Sequence, residues 1–108
     1  MSKAEAEYQK LVEALSSGEK TVAGQMFGKP CLKVGGKAFC AQHKDAVVFK
    51  LGAPAHAKAM SFTGAGLWDP SGKGRPMKEW VAIPAAAATA RQLAGLAKVA
   101  QAYVESAA

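Results

Sequence analysis

Two cysteines, two histidines and one glycine-rich basic loop are the residues of this chain whose types and spacing could do chemistry. Cys31 and Cys40 flank Gly35-Gly36, a dipeptide that accepts the positive φ values of a type I′ turn between two short alternating segments. Closing that turn with Val34 opposite Lys37 sets Lys33 against Ala38, Leu32 against Phe39 and Cys31 against Cys40. Opposed residues lie within the separation a disulfide tolerates. Two reduced cysteines packing as small apolar side chains is the reading favoured for a cytoplasmic protein. A metal site is not expected: there is no Cys-x-x-Cys, and Cys40 and His43, three apart on a strand, point to opposite faces. His56 falls on a short helix among alanines with no nucleophile or acid near it in sequence, which describes a solvated histidine better than a catalytic one.

The loop Ser71-Gly72-Lys73-Gly74-Arg75-Pro76 has glycines for close backbone approach and two cations, the ingredients of a phosphate cradle. It lacks the Gly-x-x-x-x-Gly-Lys-Ser/Thr spacing and is followed by a strand instead of a helix, so it reads as a connecting turn. Gly64-x-Gly66 lacks the third glycine of a dinucleotide fingerprint and reads the same way. Carboxylates are few and scattered, with no paired acids and no Ser/His/Asp grouping. The expectation is a protein without enzymatic activity, cofactor or metal.

At 108 residues the chain is one domain, 1–108, with half its residues hydrophobic and a fifth charged, a composition that folds. Residues 1–15 have no signal-type apolar core, and no apolar run approaches membrane-spanning length, so the expected location is the cytoplasm. The net charge of +6 is unevenly spread. The middle of the chain carries nine lysines and Arg75 between Lys20 and Lys78 against only Asp45 and Asp69. Such a basic stretch suits an anionic partner such as nucleic acid, and equally the solubilising lysines of exposed strands.

The elements that must position these residues follow from periodicity. Tyr8, Leu11, Val12 and Leu15 form a helical stripe over 3–15, opened by a Ser2/Glu5 capping-box pattern and ended at Gly18. Thr21 to Met26 reads as a strand, Cys31–Val34 and Lys37–Gln42 as the hairpin, and Ala46 to Leu51 as a further β-branched and aromatic run. Placing Val47, Phe49 and Leu51 in the core beside Phe39 and Ala41 requires an odd-length loop around Lys44-Asp45, because a two-residue turn would put Lys50 inward. Pro54 starts a short helix through about Ser61, anchored by Ala57, Met60 and Phe62. Leu67-Trp68 and Met77–Ile83 make a second hairpin. After Pro84 a long helix runs over 85–106, with Ala86, Leu93, Leu96, Ala100, Tyr103 and Val104 near one face. The order reads α-β-β-β-α-β-β-α, an α+β domain with helices packed on an antiparallel sheet.

With that order in hand, the strings MFGKPCLKVGGKAF at 26–39, DAVVFKL at 45–51 and LWDPSGKGRPMKEWVAIP at 67–84 give the chain its resemblance to the N-terminal domain of the TfoX/Sxy family of bacterial competence-associated proteins. The resemblance covers nearly the whole chain. It implies a small α+β domain similar to the secretion-chaperone type of fold, a regulatory role, and no catalytic residues to carry over.

One face of the predicted sheet carries the candidate function. If Val81 and Ile83 point into the core, Lys78, Trp80 and Ala82 join Cys31, Lys33, Ala38, Cys40, Gln42, Val48 and Lys50 on the opposite side. That face is too apolar for a solvated surface and too basic for a core. Three readings follow: a helix covers it; it buries Trp80 and Val48 against a protein partner or a second copy, with lysines at the rim; or it stacks a base on Trp80 and holds phosphates with Lys33, Lys50 and Lys78. A non-enzymatic protein-interaction or regulatory module is the first expectation, and a weak, sequence-tolerant nucleic-acid binder the second.

Overall fold

The computed structural model describes residues 3–15, 21–26, 28–70, 73–74 and 76–106. Helix α1 (Lys3–Leu15) leads into strands β1 (Thr21–Met26), β2 (Lys29–Val34), β3 (Lys37–His43) and β4 (Ala46–Lys50). Then come helix α2 (Ala55–Met60), strands β5 (Gly66–Trp68) and β6 (Met77–Pro84), a 3-10 turn (Ala85–Ala87) and helix α3 (Ala90–Ser106). The α+β class and the succession of elements are as expected, and each of the four runs read as strands ahead of α2 forms one. All six strands form one antiparallel sheet in the order β1-β2-β3-β4-β6-β5. Ser2, Gly18 and the loop residues Ser71, Gly72 and Arg75, singled out above, lie outside the described residues.

The Gly35-Gly36 turn forms as its residues dictate, with φ of 59° and 80°. Val34 faces Lys37 and Lys33 faces Ala38, but the ladder then slips: Leu32 pairs with Cys40 and Cys31 with Ala41. Phe39 is the extra residue of a β-bulge. A bulge sets two residues of one strand against one of its partner, and here Phe39 and Cys40 both enter the main core. The expected pairing of Cys31 with Cys40 is therefore corrected. Cys31 lies in a second cluster on the other face, and both thiols are free and buried.

The same bulge corrects the next turn. His43 pairs with Ala46, so Lys44-Asp45 is a two-residue turn, with Lys44 at φ 54°. The change of phase assigned to an odd-length loop is made inside β3. Val47, Phe49 and Leu51 enter the main core as expected, whereas Ala41 moves to the opposite face with Val48. Lys50 stays out of the main core, directly across from Trp80.

All three helices pack on the Phe39 face, where Ala4, Tyr8, Leu11, Ala59, Leu93, Ala97 and Ala100 close over Leu32, Phe39, Phe49 and Ile83. In α2 the buried residue is Ala59, with Ala55 and Phe62 half-buried beside it, while Ala57 and Met60 are exposed. The 85–106 helix is broken: Ala88 is extended, and α3 begins after it. The reason is a capping box. Gln92 N–H donates to Thr89 Oγ1 at 3.1 Å while Thr89 N–H donates to Gln92 Oε1 at 2.9 Å, satisfying two amides that a continuous helix would have placed elsewhere. The break buries Ala85 and Ala88 and leaves Ala86 exposed.

Candidate interaction surface

The second sheet face is a small core of its own. Cys31, Ala41, Val48, Trp68 and Trp80 are buried together there, with Ala38, Met77 and Ala82 packed against them. Among the described residues no helix contributes to that cluster; the cover comes from the two tryptophans, whose rings lie 5.3 Å apart at 53°. Trp68 Nε1 donates to His43 Nδ1 at 2.8 Å, although β5 is separated from β3 by β6 and β4. In a flat sheet three strand spacings span roughly 14 Å, beyond an indole's reach. The sheet therefore bends around this face, and Trp68 on its short edge strand folds over the opening.

That geometry sorts the candidate residues. Trp80 is 5% exposed, so its ring offers little open face, which counts against the reading of it as a stacking platform. Val48 and Cys31 are fully buried beneath it, and Cys40 belongs to the helix-covered core on the far side. Burial pushes both thiols up from their ordinary value; at Cys31 the Lys33 ammonium partly opposes the shift. Lys33 and Lys50 are half-buried and Lys78 is exposed. Lys50 sits 3.8 Å from Glu79. Met77 and Trp80 both pack into the second cluster although three residues apart, so strict alternation fails between them and does not carry Lys78 onto that face.

The histidines are placed by neighbouring elements. His56 Nε2 donates to the Lys78 carbonyl at 2.8 Å, tying α2 to β6. An indole N–H is only a donor, so His43 Nδ1 must accept, which fixes a neutral ring with its proton on Nε2. Burial, then the charges of Lys29 and Lys44, hold the His43 pKa below its ordinary value. In the 69–74 loop the Asp69 carboxylate accepts from Gly74 N–H at 2.8 Å, so that amide already serves an anion of the chain itself. Gly64, at φ 77°, packs close to Pro84, as a turn requires. Among the described residues no group of three or more His, Cys, Asp or Glu could hold a metal ion, and no helix is long and apolar enough to cross a membrane.

What sequence reasoning passed over is the free edge of the sheet. β1 has β2 on one side and no strand on the other among the described residues. Its sequence, Thr-Val-Ala-Gly-Gln-Met, holds no charge and no proline, which are the devices that ordinarily blunt an exposed edge. Val22 is 54% exposed there. Gln101 Nε2 on α3 donates to the buried Thr21 Oγ1 and anchors the start of the strand. The opposite edge, β5, is three residues long. The absence of charge over 21–26 was the available signal. No family model, no curated protein and no solved structure matches this chain.

Proposed function

We propose that this is a non-enzymatic protein-interaction or regulatory module of the TfoX-N-like type, and that it docks its partner along the open edge of β1. The observation that carries this reading is a six-residue edge strand, uncharged and free of proline, held in place by α3 and left without a strand on its outer side among the described residues. Unpaired backbone donors and acceptors along such an edge are a template for an added strand. Burial of Trp80 counts against the nucleic-acid alternative, which would then depend on lysine-phosphate contacts alone.

Hydrogen exchange tests the reading. Extended peptides selected against the folded chain should slow amide exchange within Thr21–Met26 and leave β5 and the helices unchanged. Binders that protect some other element and never β1 would refute it. A parallel salt titration with single- and double-stranded DNA separates the alternative, for which binding steeper in salt than any peptide's and indifferent to β1 is the signature.

A further inference from the structure

Resting on that edge-docking reading, we infer that the partner is an acidic extended peptide, added to β1 as a seventh strand and held at its carboxylates by Lys33. Lys33 stands opposite Val22 on the neighbouring strand, and its side chain does not stop at β2. A Cβ built on Gly24 would lie 3.4 Å from Lys33 Cε and 3.7 Å from Nζ. The stem therefore reaches onto β1 in the gap left by the missing Gly24 side chain, and the ammonium lies over the edge strand itself. Among the described residues no carboxylate pairs with it. Lys29, opposite Met26, adds a second cation at the far end of the strand. The edge thus offers neutral backbone for pairing with positive charge along one side.

A second copy of the chain fits this edge poorly. Two-fold antiparallel pairing of β1 centred on Gly24 would bring Gly24 of each copy side by side, and with it both Lys33 ammonium groups, a like-charge pair across a ladder. A peptide alternating Glu with β-branched residues has no such conflict. Its backbone takes the open donors and acceptors, and its carboxylates fall on the side where Lys33 lies over Gly24.

The test uses three labelled peptides of equal length, alternating Val with Glu, Gln or Lys, titrated by fluorescence anisotropy against the whole chain and against Lys33→Gln. The Glu peptide should bind most tightly, weaken with salt, protect Thr21–Met26 from exchange, and lose about two- to fivefold in affinity with Lys33→Gln, the scale of one exposed charge pair. The Gln peptide should be indifferent to that substitution. Equal binding of Glu and Gln peptides, both protecting β1, would overturn the acidic partner while leaving edge docking intact. Peptides that bind without protecting β1, or not at all, would remove the docking reading itself. A dimer by light scattering with β1 protected and no peptide present would make the second copy the occupant and overturn the inference. Lys33→Gln lies at the surface, and an unchanged melting temperature shows that the variant is folded.

Discussion

Gly52 is a position where two opposing effects of the same methyl group can be weighed. Its backbone φ is ordinary, so replacing it with alanine would by itself stabilise the domain by about 0.4–1 kcal/mol, because the unfolded chain loses freedom. The structure opposes that gain. A Cβ on residue 52 would lie 2.5 Å from Tyr103 Cε1, 2.9 Å from Cδ1 and 3.1 Å from Cζ, where carbon atoms prefer about 3.5–4.0 Å. The ring must move by about an ångström. Tyr103 projects from α3, packs against the main core and donates from its hydroxyl to Glu79 Oε2 at 3.4 Å, so moving it disturbs both contacts. Overpacking of this kind costs about 1–3 kcal/mol, which in mid-range exceeds the entropic gain and leaves a net loss of about 1 kcal/mol, up to about 2.5 kcal/mol. For a domain this size that is a fall in Tm of roughly 5–15 °C by calorimetry or thermal circular dichroism. The cause is isolated by a double-mutant cycle. In a Tyr103→Ala background, Gly52→Ala should become neutral or stabilising, giving a coupling of about 1.5–3 kcal/mol between the two sites. A Gly52→Ala variant that melts higher than the parent, or a cycle with no coupling, would refute the close approach of α3 to the segment after β4.

The remaining predictions concern the bent sheet, the cap and the turn. Because the His43 pKa is lowered on folding, the unfolded chain takes up its proton first, so stability is fully present above about pH 6.5 and falls as pH drops through the folded pKa. His43→Asn keeps an oxygen acceptor for the Trp68 indole but does not titrate, and should flatten Tm between pH 7 and pH 5; an unchanged pH profile would disprove the role of the Trp68–His43 bond. Thr89→Ala should cost about 1 kcal/mol in urea unfolding, as loss of an N-cap does, and no change would dismiss the capping box as the reason α3 starts where it does. Gly36→Val, at φ 80°, should cost about 1–3 kcal/mol, and retained stability would exclude the type I′ turn. Iodoacetamide should leave Cys40 unmodified in the native protein, since burial both shields it and raises its pKa; rapid native alkylation would argue against its place in the main core.

Local signals in the sequence determined the elements of this protein. The i, i+3, i+4, i+7 stripe of α1, the two positive-φ glycines between β2 and β3, the β-branched run of β4, and the alternation of Val81 and Ile83 each report a periodicity that a helix or strand imposes on neighbouring residues. The capping box at Thr89 and Gln92 was equally local and legible, although the alanines before it favour helix and mask the break. What only tertiary structure decided is how those elements meet. The bulge at Phe39 leaves no mark in residue type, because a Phe beside a Cys fits either phase of a strand. Its choice depends on which arrangement buries Phe39, Cys40, Val47 and Phe49 under the helices at once. That one-residue slip separated the two cysteines and placed Cys31, Ala41 and Val48 in a second core. The burial of Trp80 and the bond between Trp68 and His43 depend on the bending of six strands, a property of the whole sheet that no short window encodes. The open edge at β1 is likewise a matter of strand order: its neutral sequence could be read directly, but whether a neighbour covers it is settled only when β6 inserts between β4 and β5 and leaves β1 at the rim.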